Sequence, residues 1–467
     1  MRLVMKFGGT SVNGGQRIQN VADLVLGYAR QGHVIVTVTS AMSGVTDTLI
    51  RAARRAAAGD DAIFLAAHET LTEQHFAALD QVVTDAAARE LTRARLTRLL
   101  DDFGNLCRSI RILGEVTPRA LDQVASLGER LILPILAQTF RERGAAVEAI
   151  EASELIVTDE QFTQASPLMD ATRERVRARL LPLWERNILP ITTGFIGATR
   201  AGVVTTLGRG GSDFSATILG NALEADEVWI WTDVDGVLTA DPRIVPEAQT
   251  LAEMSYGEAA ELSYFGAKVI HPRTISPAAE REIPIRILNT FNPTHPGTRI
   301  VRAPRANGRT VKAITVIRHL SQITIEGRGM QGVPGVAARV FSTVAREAIN
   351  VLMISQSSSE QNICLVVEDA HAARALDALE KEFELDRLRG NIDRIWVQDK
   401  IVIVAVVGEK MKGTPGIAAK VFGALGERGI NVISIAQGSS EYNLSLVVDE
   451  QDADQAVRAI HSSFLAR

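Results

Sequence analysis

Apolar positions along the first part of this chain follow two rhythms, one of period two and one of helical spacing, and the two take turns. Residues 2–7 alternate and stop at Gly8-Gly9-Thr10-Ser11, which predicts a strand feeding a glycine turn. Val21 to Ala29 has helical spacing, and His33 to Thr39 is a β-branched run broken at Ser40-Ala41-Met42-Ser43-Gly44. Strand, helix, strand is the unit of a parallel sheet. Between Thr46 and Thr139 the chain is rich in Ala, Leu, Arg and Glu, which predicts a mostly helical excursion interrupted around Gly114-Glu115-Val116-Thr117-Pro118. Strand-like segments return at 145–150, 188–197, 203–206, 227–233 and 283–289. Several are apolar on both faces, as strands buried between helical layers are.

The texture changes after Pro296-Gly297-Thr298. Residues 330–367 align without a gap on 411–448, and Met330, Gly332, Pro334, Gly335, Val340 and Phe341 recur as Met411, Gly413, Pro415, Gly416, Val421 and Phe422. Ile349-Asn350-Val351 recurs as Ile430-Asn431-Val432, and Gln356, Ser358, Ser359, Glu360 and Asn362 recur as Gln437, Ser439, Ser440, Glu441 and Asn443. Each copy reads strand, glycine-rich turn, helix, strand, turn, strand, helix. Two copies are too few for a solenoid, so a paired module is expected. The predicted divisions are a domain over 1–298 and modules over 310–395 and 396–467, with 310–320 offering a strand that the second module can borrow.

A length of 467 residues calls for two or three domains. Hydrophobic content of 46%, charged content of 22% and a net charge of −5 predict a water-soluble protein and favour neither nucleic acid nor an anionic membrane as partner. The longest apolar runs fall far short of the ~20 residues that span a bilayer, and Met1 to Lys6 lacks the apolar core of a signal peptide. The two cysteines, Cys107 and Cys364, sit in unrelated contexts, which fits a reducing cytoplasm and argues against a thiolate metal site. His68 and His75 lack metal spacing and read as ordinary helix residues.

Candidate chemistry gathers in Thr206-Leu207-Gly208-Arg209-Gly210-Gly211-Ser212-Asp213, a glycine loop that opens a helix. Such a loop brings backbone N–H groups against an anion at a helix N-terminus, and Arg209 adds a fork suited to a carboxylate. Lys6 ends the first strand, where an open parallel sheet binds ligands and where a cation can offset charge moving between phosphates. Trp231-Thr232-Asp233-Val234-Asp235-Gly236 can hold a ribose or adenine edge, and Lys268 is a second candidate phosphate cation. The chain contains no GxxxxGK[ST] string, no His-Arg-Asp and no Asp-Phe-Gly, so neither a Walker loop nor a protein kinase is expected.

Lys6-Phe7-Gly8-Gly9-Thr10-Ser11-Val12, Gly208 to Asp213, Trp231-Thr232-Asp233-Val234 and Phe265-Gly266-Ala267-Lys268-Val269-Ile270-His271-Pro272, followed by the tandem repeat, together resemble the aspartokinase family. The resemblance spans essentially the whole chain and is nearest to monofunctional members of the threonine-sensitive kind, with no dehydrogenase part after Arg467. It implies an α/β protein: a three-layer αβα amino-acid kinase fold with a mainly parallel sheet, then two ferredoxin-like (βαββαβ) ACT domains. It also implies transfer of a phosphoryl group from ATP, with Mg2+ held mainly by the nucleotide, to the side-chain carboxylate of L-aspartate. On that likeness Lys6 and Asp213 serve the transfer, while Ser40, Thr46, Glu129, Phe195 and Arg209 receive aspartate. ATP falls to Lys6, Gly8, Gly9, Gly211, Ser212, Thr232, Asp233, Arg243 and Lys268, with no metal-ligating residue assigned. Relatives place a tyrosine where this chain has Leu238. The likeness further implies a cytoplasmic homodimer through the ACT domains, or a tetramer, inhibited by an amino acid. L-Threonine is favoured over L-lysine because the Gln-x-Ser-Ser-Glu-x-Asn turn occurs twice, with Gln356 foremost, then Gln437, Asn350 and Ile354. Two other readings stay open: a kinase of glutamate or acetylglutamate, and a ligand sensor that binds nucleotide without turnover.

Overall fold

The computed structural model describes residues 1–266, 270–305, 310–409, 411–437 and 442–465. Contacts divide the chain into two compact units, Met1–Val237 with Thr250–Ala260 and Lys268–Arg305, and Leu238–Gln249 with Glu261–Ala267 and Ala306–Arg467.

In the first unit β1 (Arg2–Phe7), α1 (Gly15–Arg30) and β2 (Val34–Thr39) are followed by the helical excursion α2 (Val45–Ala57), α3 (Asp61–Val82), α4 (Ala86–Leu113) and α5 (Pro118–Glu142). The punctuation is chemical. Asp85 caps α4 by accepting from the Ala88 N–H at 2.7 Å, Gly114 ends it at φ 71°, and Thr117 caps α5, whose first residue is Pro118. Then come β3 (Val147–Ile150), β4 (Val157–Thr158), α6 (Met169–Glu185), β5 (Leu189–Thr193), β6 (Ile196–Thr199), β7 (Val204–Thr206), α7 (Gly211–Leu223), β8 (Glu227–Thr232), β9 (Glu253–Ser255), α8 (Tyr256–Tyr264), α9 (Pro272–Glu280), β10 (Ile285–Asn289) and β11 (Thr298–Val301).

The main sheet runs β3-β5-β2-β1-β8-β10-β11-β9, parallel except where β11 meets β10. Alternation along β1 explains its two faces. Leu3, Met5 and Phe7 join the core built with α1 to α5, while Val4 and Lys6 point the other way, toward α7. The apolar stretch 188–197, expected as one strand, is two. It breaks at Gly194-Phe195, where Phe195 takes φ 64°, and its second half pairs in a separate sheet of order β4-β6-β7.

The second unit continues with β12 (Val311–Glu326), α10 (Val336–Arg346), β13 (Met353–Gln356), β14 (Asn362–Glu368), α11 (Asp369–Glu382), α12 (Glu384–Leu388), β15 (Arg394–Gly408), α13 (Ile417–Gly426), β16 (Ser434–Ala436), β17 (Asn443–Asp449) and α14 (Ala453–Leu465). Its single sheet has the order β13-β14-β12-β15-β17-β16. Both long strands bend at a left-handed residue, His319 and Lys400, so each serves two modules. Residues 320–326 pair with β14 and 394–398, whereas Val311–Ile317 pairs with Ile403–Gly408. The segment Leu238–Gln249 lends Ala240, Ile244 and Val245 to the core of the second module, beside Val404, Leu446 and Ile460.

His75, read from the sequence as an ordinary helix residue, is fully buried against the long helices. Its Nδ1 lies 2.7 Å from the Leu71 carbonyl oxygen and donates to it, while Nε2 has no partner among the described residues. Burial, against the smaller pull of that bond, lowers its pKa to about 4. The unfolded chain therefore binds a proton that the folded one refuses as pH falls below 6.5, so stability is intact above that value and drains away toward pH 4. Between about pH 7.5 and pH 5 this group should cost about 2 kcal/mol. Unfolding midpoints measured at both pH values should fall further in the native chain than in His75→Leu; equal drops would remove the buried imidazole as the cause.

Candidate active site

Ligands of open parallel sheets sit beyond the carboxyl ends of the strands, because the turns there converge and expose backbone groups. At the end of β1, the turn Gly8-Gly9 lies against the turn that ends β2. A side chain at Gly9 would put its Cβ 2.8 Å from the Ala41 carbonyl oxygen, so only glycine fits. The Gly8 N–H donates to the Trp231 carbonyl oxygen at 3.0 Å and ties the same turn to β8. At Gly194 a Cβ would fall 2.6 Å from that of Ser212, which lets the β5–β6 turn rest on the first turn of α7. Gly208 and Gly210 both take positive φ, 78° and 71°, and swing the chain from β7 into α7.

These turns enclose a cavity of about 660 Å³, lined among others by Lys6, Gly9, Ser40, Thr46, Glu129, Phe195, Arg209, Gly211, Ser212 and Asp213. Lys6 Nζ and Asp213 Oδ1 are 2.5 Å apart and both side chains are largely buried. Asp213 stands in the first turn of α7, where the helix dipole favours an anion, and it meets the β1 face that alternation assigns to Lys6. Arg209 is exposed at the cavity and forms no ion pair among the described residues.

Glu129 carries the least ordinary electrostatics of the site. It is 3% exposed; the Ser212 hydroxyl donates to Oε1 at 3.3 Å, and Oε2 is buried without a partner among the described residues. Burial pushes its pKa up to about 8, while hydrogen bonds from the Ala41 N–H and from Ser212, and the charge of Lys6, pull the other way. A buried carboxyl with one idle oxygen, facing an anion-binding loop, suits a ligand carrying an ammonium group as well as negative charge.

Comparison with known proteins bears on what that ligand class serves. The amino acid kinase family profile matches residues 1–289, and an ACT domain profile matches 323–383 and 404–464. Aspartokinase 2 of Arabidopsis thaliana is 34% identical over 99% of this chain and 84% of its own length. This chain belongs to the aspartokinase family. The bifunctional aspartokinase/homoserine dehydrogenase 2 of Zea mays is 40% identical over 99% of this chain, which spans 50% of that relative's length. Aspartokinase III of E. coli, at 31% identity and 99% coverage of both chains, superposes with a TM-score of 0.83 in its complex with aspartate and ADP and 0.80 in its complex with lysine and aspartate.

The residues that the aspartokinase resemblance assigns to nucleotide are more scattered. Thr232 and Asp233 stand at the end of β8, with the Thr232 hydroxyl 3.2 Å from an Asp233 carboxylate oxygen, outside the cavity lining. Arg243 lies on the segment Leu238–Gln249 of the second unit, exposed and paired with both carboxylate oxygens of Asp241. Lys268 lies outside the described residues. Sequence reading also missed members of the cavity wall. Asp47, Ile50 and Arg54 line it from α2, and Asp122 and Ala125 line it from α5. The signal was present in outline, since Asp122, Ala125 and Glu129 share one helical face.

In the second unit a cavity of about 310 Å³ is lined by Gly332, Gly335, Val336, Gln356, Glu360 and neighbours. Glu360 Oε2 accepts from the Gly332 N–H at 2.9 Å, and Gly335 starts α10 at φ 94°. Asn350 and Ile354 are exposed and absent from this lining. Gln437 is exposed at the end of β16, and the turn that follows it, 438–441, lies outside the described residues.

Proposed function

We propose that this chain is an aspartate kinase, transferring the terminal phosphoryl group of ATP to the side-chain carboxylate of L-aspartate and yielding 4-phospho-L-aspartate and ADP. That product opens the route to lysine, threonine and methionine. One carboxylate oxygen forms the new bond to phosphorus as the bond to the departing ADP oxygen breaks. A carboxylate is ionised at neutral pH, so the reaction needs no general base; it needs two anions held together and the charge between them offset.

The observation that carries this reading is the sharing of one cavity by Lys6, Arg209 and the idle oxygen of Glu129. Lys6, held by Asp213, offsets charge on the transferring group. Gly8, Gly9, Gly211 and Ser212 bring the backbone against phosphate oxygens, a role that fits the bare glycine turns. The Gly8 and Gly211 N–H groups hold those turns in shape through the Trp231 and Gly208 carbonyl oxygens, which leaves donation to the Gly9 and Ser212 N–H groups. Arg209 takes the α-carboxylate of aspartate and Glu129 its ammonium, with Ser40, Thr46 and Phe195 closing the pocket. Thr232 and Asp233 hold the nucleoside; Lys268 assists and Mg2+ travels with the phosphates. The relative solved with aspartate and ADP supports the same pairing of substrates. Glu129 also weighs against acetylglutamate, because an acetylated amine carries no charge to satisfy it. A hydroxamate assay with aspartate, glutamate and acetylglutamate should give turnover with aspartate alone. Lys6→Ala should cut that turnover by at least ~10²-fold, the cost of one preorganised charge-stabilising donor; preference for another acid, or an unaffected Lys6 variant, contradicts the assignment.

The cavity beside Gln356 is read as an effector site for an amino acid in a homodimer or tetramer joined through the ACT domains. The N–H groups opening α10 suit a carboxylate, and the Glu360 carboxylate suits an ammonium. L-Threonine is favoured and L-lysine is second; the lysine complex of the E. coli relative supports amino-acid binding as such. Coupling of about 1–3 kcal/mol is the ordinary scale of such regulation. Activity titrated with each end-product amino acid should show threonine inhibition that Gln356→Ala weakens about tenfold or more. Inhibition unchanged in that variant removes Gln356 from the effector site.

A further inference from the structure

We propose that Asp122 is a positioning residue for the acid substrate: it clamps two backbone segments of the pocket wall that do not hold their shape alone. The inference rests on the aspartate kinase reading above. Asp122 is 1% exposed and lies two helical turns before Glu129 on the same face of α5. Its carboxylate spends every direction on one task. The Thr163 N–H donates to both oxygens at 3.1 and 2.9 Å, the Thr206 N–H donates at 3.0 Å, and the Thr206 hydroxyl donates at 2.6 Å.

Both donor residues matter to the cavity. Thr206 is the last residue of β7, immediately before the loop that carries Arg209. Thr163 lines the cavity at φ 71°, a backbone state that a β-branched residue adopts only when its surroundings enforce it. Its carbonyl oxygen lies 3.1 Å from where a Cβ on Gly208 would stand, so the held turn also bounds the glycine loop. A single side chain on the helix that bears Glu129 thereby fixes the loop that bears Arg209. The two groups assigned to the ends of one amino acid are kept at a set separation by Asp122, whose carboxylate oxygens are both taken up by Thr163 and Thr206.

An asparagine in its place keeps the volume but turns an NH2 toward N–H donors, so at least one clamp contact becomes repulsive. In the full-length chain, Asp122→Asn should raise the KM for aspartate about 10-fold to 100-fold, the scale of a lost charge-assisted hydrogen bond. The KM for ATP should stay within about twofold. Adding Thr163→Gly should recover much of the loss, because glycine holds positive φ without a clamp. Amide exchange measured over 160–168 and 203–207 should quicken in Asp122→Asn, with or without substrate. An unchanged KM for aspartate, unchanged exchange, or both KM values rising together without recovery by Thr163→Gly overturns the clamp. If the native chain shows no aspartate-dependent ADP release, it is the functional reading that falls, and the exchange of those two segments still decides the role of Asp122.

Discussion

Two anions repel, and any catalyst joining a carboxylate to a polyphosphate must hold them closer than water allows. At 4 Å a pair of unit charges costs about 1 kcal/mol in water and about 4 kcal/mol at a protein surface, so burial without compensation makes matters worse. This cavity compensates by geometry. Lys6 is delivered by strand alternation to the face where α7 begins, Asp213 in that first turn fixes it, and the glycine turns remove the Cβ atoms that would keep phosphate oxygens from the backbone. On the proposed reading, the Lys6 cation and the glycine turns are already in place and need no reorganisation during the reaction.

Glu129 makes the same point from the other side. A permanently ionised carboxylate here would repel both substrates, and burial instead leaves it largely protonated near neutral pH. On the aspartate kinase reading, an ammonium group would supply the partner that Oε2 lacks among the described residues and draw the carboxyl into its charged form. On the proposed reading, the pocket recognises a zwitterionic acid through a group that carries little charge until the ammonium arrives. Positive φ at Thr163 and Phe195 shows that the wall is held rather than relaxed, as at sites where shape is bought with local strain.

Much of this was legible along the chain. The β1 and β2 runs, the helical stretch and the duplicated modules follow from periodicity, and the glycines at 9, 208, 210 and 211 stand where close approach or a left-handed turn demands them. What periodicity cannot show is which faces meet. The division of 188–197 depends on a left-handed Phe195 that no propensity favours. The long strands β12 and β15, each shared between modules, arise from non-local pairing around His319 and Lys400. Asp122 resembles any acidic residue near the start of a helix until β7 and the turn at Thr163 are packed beside it. Arg243 was legible only as a residue after the nucleotide strand; its ion pair with Asp241 is a local contact that the motif does not show.

The state of Glu129 tests the account most directly. KM for aspartate, measured from about pH 7 to pH 9 with the KM for ATP as control, should fall as pH rises, by about fivefold from pH 7 to pH 8, and level off once the carboxyl with a pKa of about 8 is ionised, about tenfold in all. Glu129→Gln should bind aspartate poorly at every pH and show no such slope. A native chain whose affinity for aspartate is flat across that range, or weakens as pH rises, contradicts the claim that a buried, ammonium-seeking carboxyl organises the site.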